Sequence, residues 1–309
     1  MTSIPMTTKF KHVALALGMA FGLSATGCSR DHIEAINLSN EADSAVKVDT
    51  SGAIQKYEQA IQLDPTNHLI VWKLSKAYEK KEDWDKMAGA LSKAVAAAPG
   101  FANYYERRGY AFTKLAEAGN PDAWEDAKEP LKKCIELDPN RAWCHFLLAE
   151  AEWWTDQTQE ALQSYSHAIE HDPTVPSFYV GLADAYQVLR LYKEAGSVLD
   201  QGTKNIVATE DTRDHVYNMF LLSFNVAQVA GDKVRMLASV KQAYELAGED
   251  HPEAKFHLGS TYATMDPPQK EQAKQMLDSF QKTVCKGGKA KKFRAQCAQA
   301  NSFLQRLGS

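Results

Sequence analysis

His167-Ala168-Ile169-Glu170-His171 is the stretch of this 309-residue chain whose order most suggests chemistry. Two histidines four positions apart share one face of a helix and can hold a divalent metal ion between them. The H-x-x-E-H order also serves metal-dependent hydrolysis, with the carboxylate working on a metal-bound water. The same residues have a structural use. Ala168 fills a small-residue position that recurs along the chain, and His171 lies two residues before Pro173, where a helix end favours a cation. Packing is the preferred reading, so no metal ligand and no cofactor are assigned. No glycine-rich phosphate loop follows a strand, because no strand alternation occurs. The scattered Ser, His and Asp residues carry no spacing that marks a nucleophilic triad. Neither an enzyme nor a small-molecule substrate is expected.

The elements that position these residues follow a beat set by four prolines, Pro65, Pro99, Pro139 and Pro173, spaced 34, 40 and 34 residues apart. Before Pro65 and Pro173 runs the same pattern, Ala53, Tyr57, Ala60 and Ala161, Tyr165, Ala168. Small residues let helices cross closely and large ones a turn away fill the gap. Proline cannot continue the helix, so the chain reverses into the next unit. A period in this range marks a stacked-repeat solenoid. The successive sets are Val71, Leu74, Ser75, Tyr78 with Met87, Leu91, Ala94; Tyr105, Arg108, Gly109, Phe112 with Ala127, Leu131, Cys134; His145, Leu148, Ala149, Glu152 with Ala161, Tyr165, Ala168; and Tyr179, Leu182, Ala183, Tyr186 with Ala195, Leu199, Gly202. This pattern resembles the tetratricopeptide family, which implies an all-α, right-handed superhelical solenoid of helix pairs that binds partners rather than turning over substrates. Six extra residues fall around Gly119-Asn120-Pro121, and past Lys204 the match weakens to helical periodicity through a Gly231-Asp232 turn and Leu258-Gly259 with Tyr262. The expected organisation is a signal peptide over 1–27, a tether and first helix over 28–48, the repeat solenoid over 49–284, and a capping helix over 285–309 that starts near Lys289.

Lys9, Lys11 and His12 precede an apolar stretch from Val13 to Leu23, too short to span a bilayer and patterned as an export signal. It ends Ser24-Ala25-Thr26-Gly27-Cys28, which resembles the lipobox of bacterial lipoproteins although Ala25 stands where Leu is commonest. The resemblance implies acylation of Cys28, with palmitate-type chains, and a periplasm-facing outer-membrane lipoprotein, since Ser29 rather than Asp follows. A soluble periplasmic form is the alternative, with Ala25-Thr26-Gly27 as an ordinary signal-peptidase site. Removing residues 1–27 deletes two lysines and no acids, leaving 33 basic against 39 acidic residues and a net charge of −6. That balance excludes general nucleic-acid binding. Export places the chain where thiols oxidise. With Cys28 modified the other four cysteines are even in number, and the sequential pairing Cys134–Cys144 and Cys285–Cys297 joins neighbours. Lys286, Lys289, Lys291, Lys292 and Arg294 form a basic run read as a solvated face of the cap.

The candidate binding surface is a stripe of aromatic residues. Leu69, Trp72, Lys76, Glu79 and Lys80 lie on one helical stripe, opposite the packing residues. The equivalent stripe two repeats on carries Trp143, Phe146, Glu150, Trp153 and Trp154, and the repeat between supplies Tyr110. Tetratricopeptide stacks turn this stripe toward the inner groove, so the resemblance assigns Trp72, Tyr110, Trp143, Phe146, Trp153 and Trp154 to a partner-binding groove. The Lys, Asn and Arg set with which a subclass of these repeats grips acidic chaperone tails is missing: Leu69, Trp72 and Lys76, then Asn103, Glu106 and Tyr110, stand there instead. Lipoproteins with these repeats resemble pilotins of pilus secretins and assembly factors of outer-membrane barrels. The expected partner is a protein of the cell envelope, with the membrane engaged through the lipid. A polysaccharide-binding or export scaffold and an enzyme on a solenoid support are the alternatives.

Overall fold

Helices end where the prolines require it. In the computed structural model, which describes residues 25–248, 250–286 and 288–308 with side chains from residue 30 on, four helices stop two residues short of Pro65, Pro99, Pro139 and Pro173. The residue between, Asp64, Ala98, Asp138 or Asp172, adopts an extended backbone with φ from −135° to −144°. Clash with the proline ring bars that residue from helical angles, so the stop is local and steric. Its N–H still reaches the carbonyl four residues back, which closes the last turn.

Two compact units divide between Tyr104 and Tyr105. The first holds α1 (Ala25–Ala45), α2 (Thr50–Leu63), α3 (His68–Lys80) and α4 (Trp84–Ala97), packed in chain order as α1 on α2, α2 on α3 and α3 on α4. The polar stretch ahead of α2 forms α1 and packs on it. α1 lays Ala35, Ser39 and Ala42 into the interface. Asp43 accepts from the Tyr57 hydroxyl at 2.5 Å and from Lys73 at 2.6 Å.

The second unit holds α5 (Ala102–Glu117) from Tyr105 onward, then α6 (Ala123–Leu137), α7 (Ala142–Trp154), α8 (Thr158–His171), α9 (Pro176–Val188), α10 (Tyr192–Asn205), α11 (Arg213–Ala230), α12 (Lys233–Ala247), α13 (Ala254–Thr264), α14 (Lys270–Thr283) and α15 (Arg294–Gly308). No strand occurs among the described residues. The small residues of the repeat pattern, Ala127, Cys134, Ala161, Ala168 and Ala195, are fully buried. They allow the close helix crossings that Leu131, Tyr165, Phe178 and Tyr179 then fill. The Gly231-Asp232 turn forms as its sequence implies. Gly231 takes φ +72°, which favours a residue without Cβ, and Asp232 Oδ1 accepts the Arg235 N–H at 3.0 Å to cap α12.

Both cysteine pairs are bonded, Cys134 to Cys144 across the Pro139 turn and Cys285 to Cys297. The second bond changes the expected cap. Instead of a helix from Lys289, Gly288–Lys291 forms a single 3-10 turn and α15 starts at Arg294. Phe293, 6% exposed, tucks under Phe280 while the cystine draws the chain back to α14, so the backbone must turn there. The basic run lies on this turn and the start of α15, its cationic residues all exposed. The signal segment falls on residues 1–24 and the neighbouring turn, largely outside the described residues, as does the Cys28 side chain. No helix among the described residues is long and apolar enough to cross a membrane.

Candidate functional site

α7 positions three of the six sequence-derived aromatic residues together. Trp143 stands at its first turn, 44% exposed, with its ring edge-on to Phe146 at 5.6 Å and to Phe178 of α9 at 5.0 Å. Phe146, half-buried, lies 5.1 Å from Phe178 and 5.9 Å from Tyr165 of α8. Gly181 makes this possible: a Cβ there would stand 2.8 Å from Tyr165 and 3.1 Å from Phe146. Trp153 is half-buried and packs on the same core cluster, so it serves as flooring for the face more than as its exposed tip. The result is a braced aromatic corner in which Trp143 meets solvent and the rings behind it pack against one another.

The other three rings lie elsewhere. Trp154, 60% exposed, stacks at 5.9 Å and 16° on the buried Trp124 that opens α6. Tyr110 on α5 is covered from two sides, by the Arg107 guanidinium at 4.3 Å and the Lys114 ammonium at 5.6 Å. Trp72 belongs to the first unit, where it meets Tyr104 at 5.4 Å and carries Lys76 5.0 Å over its ring. His68 and Phe101 complete that first-unit cluster, His68 bonding the Tyr104 hydroxyl at 2.7 Å, and Phe101 is its exposed member.

Two carboxylates border the α7 corner: Glu150 of the expected stripe, and Asp184, which the sequence reading passed over. Glu150 is one turn along from Phe146, and Asp184 of α9 is its equivalent 34 residues on. The Tyr165 hydroxyl donates to Glu150 at 2.6 Å, the bond that Tyr57 makes to Asp43 in the first unit. Burial lifts the Glu150 carboxyl above its ordinary range; the Tyr165 bond opposes the rise, and the charges of Glu117 and Asp184 add to it. Desolvation lifts Asp184 as well, against the amide of Gln187 at 2.9 Å. Lys114, the nearby cation, is bonded to Glu117 at 2.6 Å. The face therefore combines apolar rings with negative charge that its own residues leave poorly compensated. The 34-residue repeat, counted on from Glu150, was the available signal for Asp184.

A buried acid on the packing side of α7, away from this face, supplies a separate test of buried charge in the repeat. Glu152, 5% exposed, accepts the Ser164 hydroxyl at 2.7 Å, and burial raises its carboxyl above the ordinary 4.5. An acid raised by folding makes the native state the better proton binder, so its contribution to stability falls as pH rises through the raised value. Glu152→Gln keeps an acceptor for Ser164 without the charge. The variant is expected to melt above the parent at neutral pH, with the gap closing as pH falls below the ordinary carboxylate range. A gap independent of pH in thermal melts would show that the charge of Glu152 is not the destabilising element.

Glu106, Cys134 and Cys144 form a structural group. Glu106 lies close to Cys134 and Cys144, but both sulfurs are consumed in the cystine and offer no thiolate to a metal. Glu106 is instead bonded to Arg141 at 2.8 Å, and Arg141 also reaches Asp138 at 3.1 Å.

No family model matches the chain. It is similar to Hsp70-Hsp90 organizing protein 3 of Arabidopsis thaliana, 25% identical over 188 residues that make up 57% of this chain and 32% of that one. The chain thus spans about a third of that relative's length. Among solved structures, a tetratricopeptide repeat protein from Parabacteroides merdae is 13% identical, covered over its full length by 90% of this chain, with a TM-score of 0.54. A MamA protein is 20% identical over 60% of this chain and 95% of its own, with a TM-score of 0.51. YrrB, described as a TPR protein with an unusual peptide-binding site, is 19% identical over 66% of this chain and 98% of its own, with a TM-score of 0.50. The class is settled by this: the chain has the tetratricopeptide-repeat fold, an all-α solenoid of helix pairs.

Proposed function

We propose that this protein is a lipid-anchored periplasmic scaffold whose α7–α9 face docks a protein partner during assembly of an envelope machine, a pilus secretin or an outer-membrane barrel. One observation carries the docking reading: Trp143 is 44% exposed yet held edge-on by Phe146 and Phe178, at the rim of a face bearing Glu150 and Asp184. A large ring held rigid at the surface loses little entropy on binding and dominates interface energetics. The two cystines suit an oxidising compartment. The charged leader with Gly27-Cys28 supports export and acylation. More than one acyl chain on Cys28 gives stable attachment where a single chain is marginal.

The negative rim favours a partner segment that brings a basic residue beside an apolar one. The exposed half of the Trp154–Trp124 stack supports a second reading, stacking of a sugar ring in a polysaccharide scaffold. Retention of the partner by the delipidated protein, with release by high salt, separates the first from glycan binding, which salt leaves unchanged. The anchor has its own test. Cys28→Ala is expected to move the protein from the outer-membrane fraction to the periplasm or to leave the precursor uncut. Mature protein that begins at Cys28 and fractionates as soluble in the parent strain would overturn the lipoprotein assignment.

A further inference from the structure

We propose that His145, His167 and His171 form a binding site for one divalent transition-metal ion of the class imidazole prefers, with Zn2+ as its probe. The sequence offers only the helix-face pair His167 and His171, four apart on α8. The fold brings in the third ring from α7. The ring centre of His145 lies 5.0 Å from that of His171 and 5.6 Å from that of His167, and the α8 pair stands 6.5 Å apart. A tetrahedral ion bonded at about 2.0–2.1 Å to three imidazoles sets their centres about 5 Å apart, so two of the three spacings already suit one ion. As the rings lie, their nitrogens do not all come within 4.8 Å of one another. His167 and His171 are exposed, so both side chains are open to rotamer changes that bring their nitrogens to a common point.

The surroundings favour the neutral, oriented imidazoles a metal needs. His145, 8% exposed, has its Nε2 2.8 Å from the Pro139 carbonyl oxygen, a contact that places the proton on Nε2 and leaves Nδ1 with its lone pair. The Cys134–Cys144 bond pins the backbone next to His145, so the buried ligand is fixed while the two exposed ones adapt. Glu170 Oε2 lies 3.1 Å from His167 Nδ1, the second-shell contact that orients Nε2 for a metal. A metal here would tie α7 to α8.

Titration of the full mature chain, purified without a polyhistidine tag, tests the site. Zn2+ followed by calorimetry, and Co2+ followed by its visible spectrum, are expected to saturate at one equivalent per chain. Loss of an outer-shell partner weakens metal sites by about 10–100-fold, so removal of a ligand should cost at least about tenfold. His145→Gln, His167→Gln and His171→Gln are each expected to show that loss. His171 is exposed, so its variant folds even where the buried His145→Gln does not. Absence of one-equivalent uptake by the parent would overturn the proposal. So would a folded His145→Gln that binds as the parent does, which would leave only a two-histidine helix face.

Discussion

Replacement of Cys134 and Cys144 by alanine is expected to lower the stability of the 105–309 unit by about 3 kcal/mol, and the same change at Cys285 and Cys297 by a similar amount. The bonds span 10 and 12 residues, and closing loops of that size removes about this much chain entropy from the unfolded state. Alanine isolates the cross-link from packing, because Cys134 stands five residues before its proline, where Ala60, Ala94 and Ala168 stand in other repeats. A serine would add the cost of a buried hydroxyl at a site that is fully enclosed. Stacked repeats interact mainly with neighbours, so the loss should appear in the transition of the local helices, α6–α7 or α14–α15. Urea unfolding of oxidised parent and double variants measures it. Thiol labelling of the exported parent, unfolded without reductant, should find none of these four cysteines reactive. Four reactive thiols, or variants as stable as the parent, would refute the cross-links.

The second large effect is on binding. Trp143→Ala is expected to weaken the partner by about 2 kcal/mol or more, roughly a thirtyfold rise in Kd. The ring covers Phe178 but is itself 44% exposed, so helix content and melting should stay near those of the parent. Asp184→Lys reverses a charge on an exposed position of α9 and is expected to weaken binding further at low salt than at high salt. Trp154→Ala serves as the contrast: its ring stacks on Trp124, away from Phe178, and its loss should leave protein binding within a few-fold. Equal effects of Trp143→Ala and Trp154→Ala on partner affinity would contradict the assignment of the docking face to the α7–α9 corner.

Much of this architecture is visible in single residues. Pro65, Pro99, Pro139 and Pro173 mark four helix ends because the steric rule acts on the adjacent residue alone. Gly231 and Asp232 mark a turn and a cap for equally local reasons. The buried alanines and Tyr165 follow because one helical stripe must face its neighbours in every repeat. Local rules stop where neighbours decide. Helical pitch puts Trp154 on the stripe of Trp143, yet at the last residue of α7 its ring is free to lean on Trp124 instead. Phe178 reads as one more apolar residue, and only the fold sets it beneath both Trp143 and Phe146. Glu150 looks like a solvated acid until Tyr165, Glu117 and Asp184 surround it. His145 is separated from His167 by 22 residues, so no motif spacing connects them. The start of α15 depends on a cystine that bends the chain before any helix can begin.

Ser177 of α9 occupies the repeat position of Trp143, 34 residues on, and is half-buried at the same face. A photo-crosslinking amino acid placed at position 177 in cells tests the docking face most directly, with the 82% exposed Val234 of α12 as the control position. Illumination is expected to join one envelope protein to position 177 and not to position 234, and Asp184→Lys in the same chain should abolish that adduct. Adducts of equal yield at both positions, or an adduct at 177 that survives Asp184→Lys and Trp143→Ala unchanged, would contradict the claim that this face docks a protein partner.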